Sequence, residues 1–243
     1  MKIAVLSGKG GTGKTLVAVN FAAIARYSAY MDCDVEESNG HLFFKPTQVE
    51  SEKIWIKLPV VQEELCNGCK KCVEFCKFNA LAYVGKKLLL FEDVCHSCGG
   101  IPIINKMFSN IKSEDKVTFV DCSPGSACSV MESIKDADYC ILVAEPTLFG
   151  VHNLIMVYEL VKLFKKPCGV ILNKCIGSEN PSEEFCKDKK IKILGSIPYD
   201  NELGTLNSNA FIAARESEKY NKMFFSIYKN VLEEVQNETT LNS

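Results

Sequence analysis

Residues 8 to 15 read Gly8-Lys9-Gly10-Gly11-Thr12-Gly13-Lys14-Thr15, the pattern G-x-x-x-x-G-K-[ST]. The flanks are as restrictive as the run itself. Lys2 to Ser7 alternate into a short apolar strand. From Lys14 to Tyr27 the apolar residues Val17, Phe21, Ile24 and Ala25 fall at helical spacing. A strand that feeds a glycine loop and then a helix can turn several backbone N–H groups onto one anion. Glycine tolerates the required turns, and the helix N-terminus adds its positive dipole end. In that geometry Gly8, Gly10, Gly11, Thr12 and Gly13 cradle the phosphates of a nucleotide. Lys14 reaches its β- and γ-phosphates, and Thr15 ligates its Mg²⁺.

The rest of the chain repeats the same alternation. Ala29–Asp32, Lys116–Asp121, Tyr139–Val143, Cys168–Leu172 and Ile191–Ile197 read as short strands, each followed by turn or helix signals. Strands alternating with helices imply right-handed crossovers and an α/β fold, a mostly parallel sheet with helices on both faces. Ligands then bind beyond the carboxyl ends of the strands.

The stretch between these halves differs. Cys66-x₂-Cys69-x₂-Cys72-x₃-Cys76 has the spacing of a bacterial [4Fe–4S] ferredoxin run, with Lys77 in place of the usual proline. Cys66-x₂-Cys69 recurs 29 residues later as Cys95-x₂-Cys98, but at that offset Cys72 and Cys76 fall on Ile101 and Asn105. In a two-cluster ferredoxin the fourth cysteine of each run serves the other cluster. One site then holds Cys66, Cys69 and Cys72, the other Cys76, Cys95 and Cys98, and each is one thiolate short. Three outcomes are open: one cluster held after local rearrangement, a labile three-thiolate cluster, or a zinc site made by the two C-x₂-C pairs. A module that has lost its metal is a fourth. The division is a nucleotide-binding domain over 1–61 and 99–243 with a ferredoxin-like cysteine-rich insert over 62–98. Ile101–Ile104 reads as the start of the next helix.

Thirteen cysteines matter here because no signal peptide is apparent at Met1–Ser7 and no apolar run could span a bilayer. A cytoplasmic chain keeps its thiols reduced, so the clustered cysteines point to metal and the scattered ones, 33, 122, 128, 140, 168, 175 and 186, to core packing. A net charge of −2 and the mixed charges of the insert argue against nucleic acid as a partner.

Lys9 to Thr15, K-G-G-x-G-K-[ST], resembles the loop of the MinD/ParA family of deviant P-loop ATPases. With the insert, the chain is similar to the MinD-type members that carry a ferredoxin domain. The resemblance implies an ATP-dependent homodimer in which Lys9 crosses to the partner's phosphates, so that hydrolysis depends on dimerisation. It makes Asp121, at the end of Val117–Asp121, the acid that holds Mg²⁺ through water. Asp34 becomes the acid that orients the attacking water, with Asp32 beside it. Asn173 and Pro198 become contacts to the adenine. Some relatives grip membranes with a terminal amphipathic helix. Here the stripe Met223, Phe224, Ile227, Tyr228, Val231 and Leu232 is followed by Glu233 and Glu234 with no basic cluster, which points to packing on the core rather than stable membrane anchoring.

Two functions compete on these residues. In the first, an ATPase couples its nucleotide state to an iron–sulfur cluster, for electron transfer to a redox partner or cluster delivery to an acceptor protein. In the second, a positioning or partner-binding switch carries a structural zinc or vestigial module.

Overall fold

In a computed structural model that describes residues 1–76, 78–112, 116–177 and 180–241, strand and helix alternate as the sequence predicts. β1 (Lys2–Leu6), α1 (Lys14–Ile24), β2 (Ser28–Cys33) and a short α2 (Gly40–Phe44) come first. The cysteine-rich stretch holds α3 (Lys71–Phe75) and an antiparallel hairpin of β3 (Leu81–Val84) and β4 (Lys87–Leu90). Then follow α4 (Ser97–Ser109), β5 (Val117–Cys122), α5 (Cys128–Lys135), β6 (Tyr139–Ala144), α6 (Leu148–Leu163), β7 (Cys168–Cys175), α7 (Pro181–Lys189) and β8 (Lys192–Pro198). The chain closes with α8 (Asn201–Ser208), α9 (Ala213–Glu216) and α10 (Glu218–Leu241).

Six strands form one parallel sheet in the order β2-β5-β1-β6-β7-β8. The chain leaves β1 to build β2 and β5 on one side, then crosses to build β6 on the other. That reversal makes the carboxyl end of β1 the switch point of the sheet, where ligands bind in such folds. Because side chains alternate along a strand, the sheet splits its apolar residues between two cores. Ile3 and Val5 of β1 face α1 and α10, while Ala4 and Leu6 face α4, α5 and α6. On the first side Phe21 meets Phe224 edge-on at 6.3 Å and Tyr228 at 5.6 Å. The α10 stripe therefore lies on the core: Phe224 and Val231 are fully buried. Among the described residues no helix is long and apolar enough to cross a membrane.

Two helix boundaries differ from the sequence reading. α1 stops at Ile24 rather than Tyr27, because the Ser28 hydroxyl donates to the carbonyls of Ala22 (2.7 Å) and Ala25 (3.2 Å), and Tyr27 turns left-handed (φ 57°). α4 starts at Ser97, four residues before Ile101, and so takes in Cys98. Its first turn is irregular, with Cys98 at φ 59° and Gly100 at φ 76°, and a Cβ at Gly100 would press on Val35, one residue beyond Asp34.

The 29-residue repeat is present in the backbone as well. A 3₁₀ turn at Glu63–Leu65 leads to Cys66 at φ −78°, ψ 109°, and another at Glu92–Val94 leads to Cys95 at φ −79°, ψ 111°. Each is closed by the same N–H to carbonyl pattern, Cys66 to Glu63 and Cys95 to Glu92. Lys77 lies outside the described residues.

Candidate nucleotide site

Gly8 to Gly13 connect the carboxyl end of β1 to the first turn of α1, at the switch point. Two glycines there are fixed by geometry. A Cβ at Gly8 would run into the Asn153 backbone on α6. Gly13 caps α1 at φ 101°, where a Cβ would strike the Asn173 amide. Asn173, buried near the end of β7, holds the loop from below: its Nδ2 donates to the Thr12 carbonyl at 2.7 Å. That hydrogen bond uses one of the two Nδ2 hydrogens, so a contact with adenine would draw on the other or on Oδ1. Pro198 sits on the exposed end of β8, beside the half-exposed Tyr199.

Strand ends bring three predicted side chains together. Lys14 Nζ is 3.2 Å from Asp121 Oδ1 and 3.9 Å from Asp34 Oδ2, with the lysine side chain 9% exposed and Asp121 1%. Asp121 Oδ2 accepts from the Tyr30 hydroxyl at 2.8 Å, whereas Oδ1, fully buried, receives no hydrogen bond. Burial pushes the Asp121 carboxyl above its usual range, against the opposing pull of Lys14 and the hydroxyls of Thr15 and Tyr30. Asp34 is raised too, by burial first, with Lys14 opposing. A buried acid whose Oδ1 is ion-paired to Lys14 but takes no well-formed hydrogen bond, next to the first-turn threonine Thr15, fits a hard cation with oxygen ligands. Thr15 and Asp121 are the residues that would hold Mg²⁺.

Asp32 does different work. Its Oδ2 accepts from the Ser38 hydroxyl and the Asn39 and Gly40 amides at 2.8–3.1 Å, and its Oδ1 from the Asp34 amide at 3.1 Å. The carboxylate therefore shapes the β2–α2 loop and positions Asp34.

Glu145 and Lys174 are the site residues the sequence does not announce. Lys9 Nζ lies 3.1 Å from Glu145 Oε2, and Lys174 Nζ lies 2.7 Å from Glu145 Oε1 and donates to the Gly11 carbonyl at 2.7 Å. Burial would raise the Glu145 carboxyl, but the two lysines outweigh it and hold it below the usual range. Glu145 thus keeps Lys9 folded against its own chain, and Lys174 clasps the loop from outside. A strand-end glutamate followed by Pro146-Thr147 carries no distinguishing local pattern, and its partners are distant in sequence.

Residues 3–210 match the CobQ/CobB/MinD/ParA nucleotide binding domain. The chain belongs to this family. Among proteins similar to this MinD/ParA-type chain is Uncharacterized protein MJ0579 of Methanocaldococcus jannaschii, 28% identical, the match covering 98% of the chain and 97% of that protein. The iron–sulfur cluster carrier protein of the same organism is 24% identical over 97% of the chain and 85% of its own length. The septum site-determining protein MinD of Pyrococcus horikoshii, solved with Mg-ADP, superposes with a TM-score of 0.64 at 21% identity, covering 95% of each chain. At that identity the structural likeness establishes the α/β P-loop fold of the family.

The six insert cysteines are separate from this site. Cys66, Cys69, Cys72 and Cys98 are exposed, and Cys76 and Cys95 half-buried. Among the described residues no three His, Cys, Asp or Glu side chains converge closely enough to hold a single metal ion. Cys33, Cys122, Cys140 and Cys186 are buried, and their thiols are raised by burial.

Proposed function

We propose that this chain binds and hydrolyses Mg·ATP as a homodimer and couples its nucleotide state to an iron–sulfur cluster on the cysteine-rich segment. The observation that carries the reading is the convergence of Lys14, Asp34 and Asp121 beneath the Gly8–Thr15 loop, with Gly100 of the cysteine-bearing α4 packed on Val35 one residue from Asp34.

Bound through Thr15 and Asp121, Mg²⁺ would neutralise phosphate charge. The chain's own residues do the rest. Backbone amides of Gly10 to Lys14 hold the phosphates, and Lys14 leaves Asp121 for the β- and γ-oxygens. Asp34, freed from Lys14, accepts a hydrogen bond from the attacking water and aligns it with the γ-phosphorus. Lys9 leaves Glu145 and meets the phosphates of the partner subunit's nucleotide, so turnover requires two copies. Asn173 and the Pro198 rim close on the adenine. Movement of the Asp34–Val35 segment is passed to α4 and its Cys98. The output is electron transfer or cluster delivery to a protein acceptor. Similarity to an iron–sulfur cluster carrier supports the second of these.

Two measurements test the reading. Lys14→Ala abolishes Mg·ATP binding, whereas Lys9→Ala retains it and loses the part of turnover that rises with protein concentration; unchanged turnover in the second variant refutes the role of Lys9 across the dimer. Anaerobically purified protein carries iron and acid-labile sulfide. Zinc without sulfide, together with ATP-dependent attachment to a partner or membrane, would favour the positioning switch instead.

A further inference from the structure

The two cysteine runs leave the second site, Cys76, Cys95 and Cys98, one thiolate short. The fold supplies a candidate outside the runs. α4 is the helix before β5 and α5 the helix after it. Both run antiparallel to a parallel sheet, so both begin at its carboxyl edge. They pack side by side through Ile104, Met107 and Phe108 of α4 and Val130, Met131 and Ile134 of α5. Cys98 is the second residue of α4, and Cys128 is the first of α5. The end of α3 is drawn to the same place, because Phe78 stacks on His96 with ring centroids 4.6 Å apart and planes 17° apart. Cys76 stands two residues before Phe78, and Cys95 and Cys98 flank His96.

We propose that Cys128 is the missing ligand, and that Cys76, Cys95, Cys98 and Cys128 hold one [4Fe–4S] cluster at the paired N-termini of α4 and α5. The Cys98 thiol is raised, by burial first and then by the neighbouring Cys128, Cys95 and Cys76. Four thiolates on zinc share one centre about 2.3 Å away, whereas on a four-iron cluster each binds a different iron. Neither helix has a side-chain N-cap; His96 and Ala127 accept no capping hydrogen bond. The amides of Cys128 and Ser129 at the start of α5 are thus free of a side-chain cap, and the dipole end of that helix favours an anionic cluster.

Cys128 is also a nucleotide-linked ligand. It follows Asp121 by seven residues, on a loop tied to the ends of β1 and β2: Gly125 N–H donates to the Ser7 carbonyl at 2.9 Å, and the Ser123 hydroxyl to the Cys33 carbonyl at 3.0 Å. A shift of Asp121 on Mg·nucleotide binding would move one thiolate relative to the other three. The inference rests on the iron–sulfur reading above but is separable from it.

Wild type, Cys128→Ala and Cys168→Ala are purified anaerobically, and iron, sulfide and the electron paramagnetic resonance of the dithionite-reduced protein are compared. Cys128→Ala is expected to lose about four iron and four sulfide per chain and that cluster's signal, while retaining Mg·ADP binding; Cys168→Ala is expected to keep all of them. Wild-type iron, sulfide and spectrum in Cys128→Ala overturn the Cys128 assignment and leave the iron–sulfur reading standing. Wild-type protein without iron or sulfide removes both. Because Cys128→Ala could fail to fold, iodoacetamide labelling of wild type provides a second measurement. Cys128 should be protected together with Cys76, Cys95 and Cys98, and all four should become reactive after chelation. Equal labelling of Cys128 before and after chelation refutes the assignment.

Discussion

Gly13→Ala should damage the protein through a residue 160 positions away. Gly13 sits at φ 101°, and an alanine held in a left-handed conformation costs roughly 1–2 kcal/mol. The new methyl also displaces the Asn173 amide, which at present donates to the Thr12 carbonyl at 2.7 Å inside the protein. Leaving a buried acceptor unpaired adds about 1–3 kcal/mol. The sum, about 2–5 kcal/mol, corresponds to a fall in Tm of roughly 5–15 °C for a chain of this size. Urea or thermal unfolding of wild type, Gly13→Ala, Asn173→Ala and the double variant forms a cycle. Asn173→Ala alone forfeits the same hydrogen bond. In the Gly13→Ala background that bond is already broken, so the second substitution costs little, and the double variant should be more stable than the sum of the single effects by about 1–2 kcal/mol. Additivity within about 0.5 kcal/mol would refute the claim that Asn173 supports the loop at Gly13.

Other consequences follow from the same cluster. Lys14→Ala leaves Asp121 buried without its cation and should cost about 3–5 kcal/mol in stability besides abolishing nucleotide binding; Lys14→Ala with Asp121→Asn should recover most of the stability and none of the binding, as read by thermal unfolding and calorimetry with Mg·ATP. The pH dependence has a definite sign. Asp34 and Asp121 have raised pKa values in the folded chain, so above the ordinary aspartate value of 3.8 the folded state binds more protons than the unfolded one, and stability without nucleotide falls as pH rises through that window. Mg·ADP would need Asp121 ionised to hold its cation, so the gain in Tm on adding it should shrink on acidification through the same window; a gain that stays constant across the window would exclude Asp121 as a titrating group of the site.

Much of this was legible from short-range pattern. The loop, its lysines and the acids at the ends of β2 and β5 were readable because strand alternation, glycine punctuation and strand-end polarity are local signals. The 29-residue repeat of Cys66 and Cys95 likewise reappears as two matching 3₁₀ turns. Helix ends were less legible: α1 stops at Ile24 because the Ser28 hydroxyl captures two carbonyls, a capping event with no periodicity to announce it. Asp32 and Asp34 share a strand end, and only the loop amides show that the first shapes the turn while the second faces Lys14.

The amino-acid sequence by itself determined that a parallel sheet would carry a phosphate-binding loop at its carboxyl edge and that a cysteine-rich segment would interrupt it. Tertiary structure alone decided which side chains meet there. Tyr30 reaches Asp121 across 91 residues, Lys174 reaches Gly11 across 163, and the helices that bear Cys98 and Cys128 begin at one edge of the sheet. Contacts of that separation depend on strand order, which is fixed by how the whole chain buries its two apolar faces and leaves no trace in any local window.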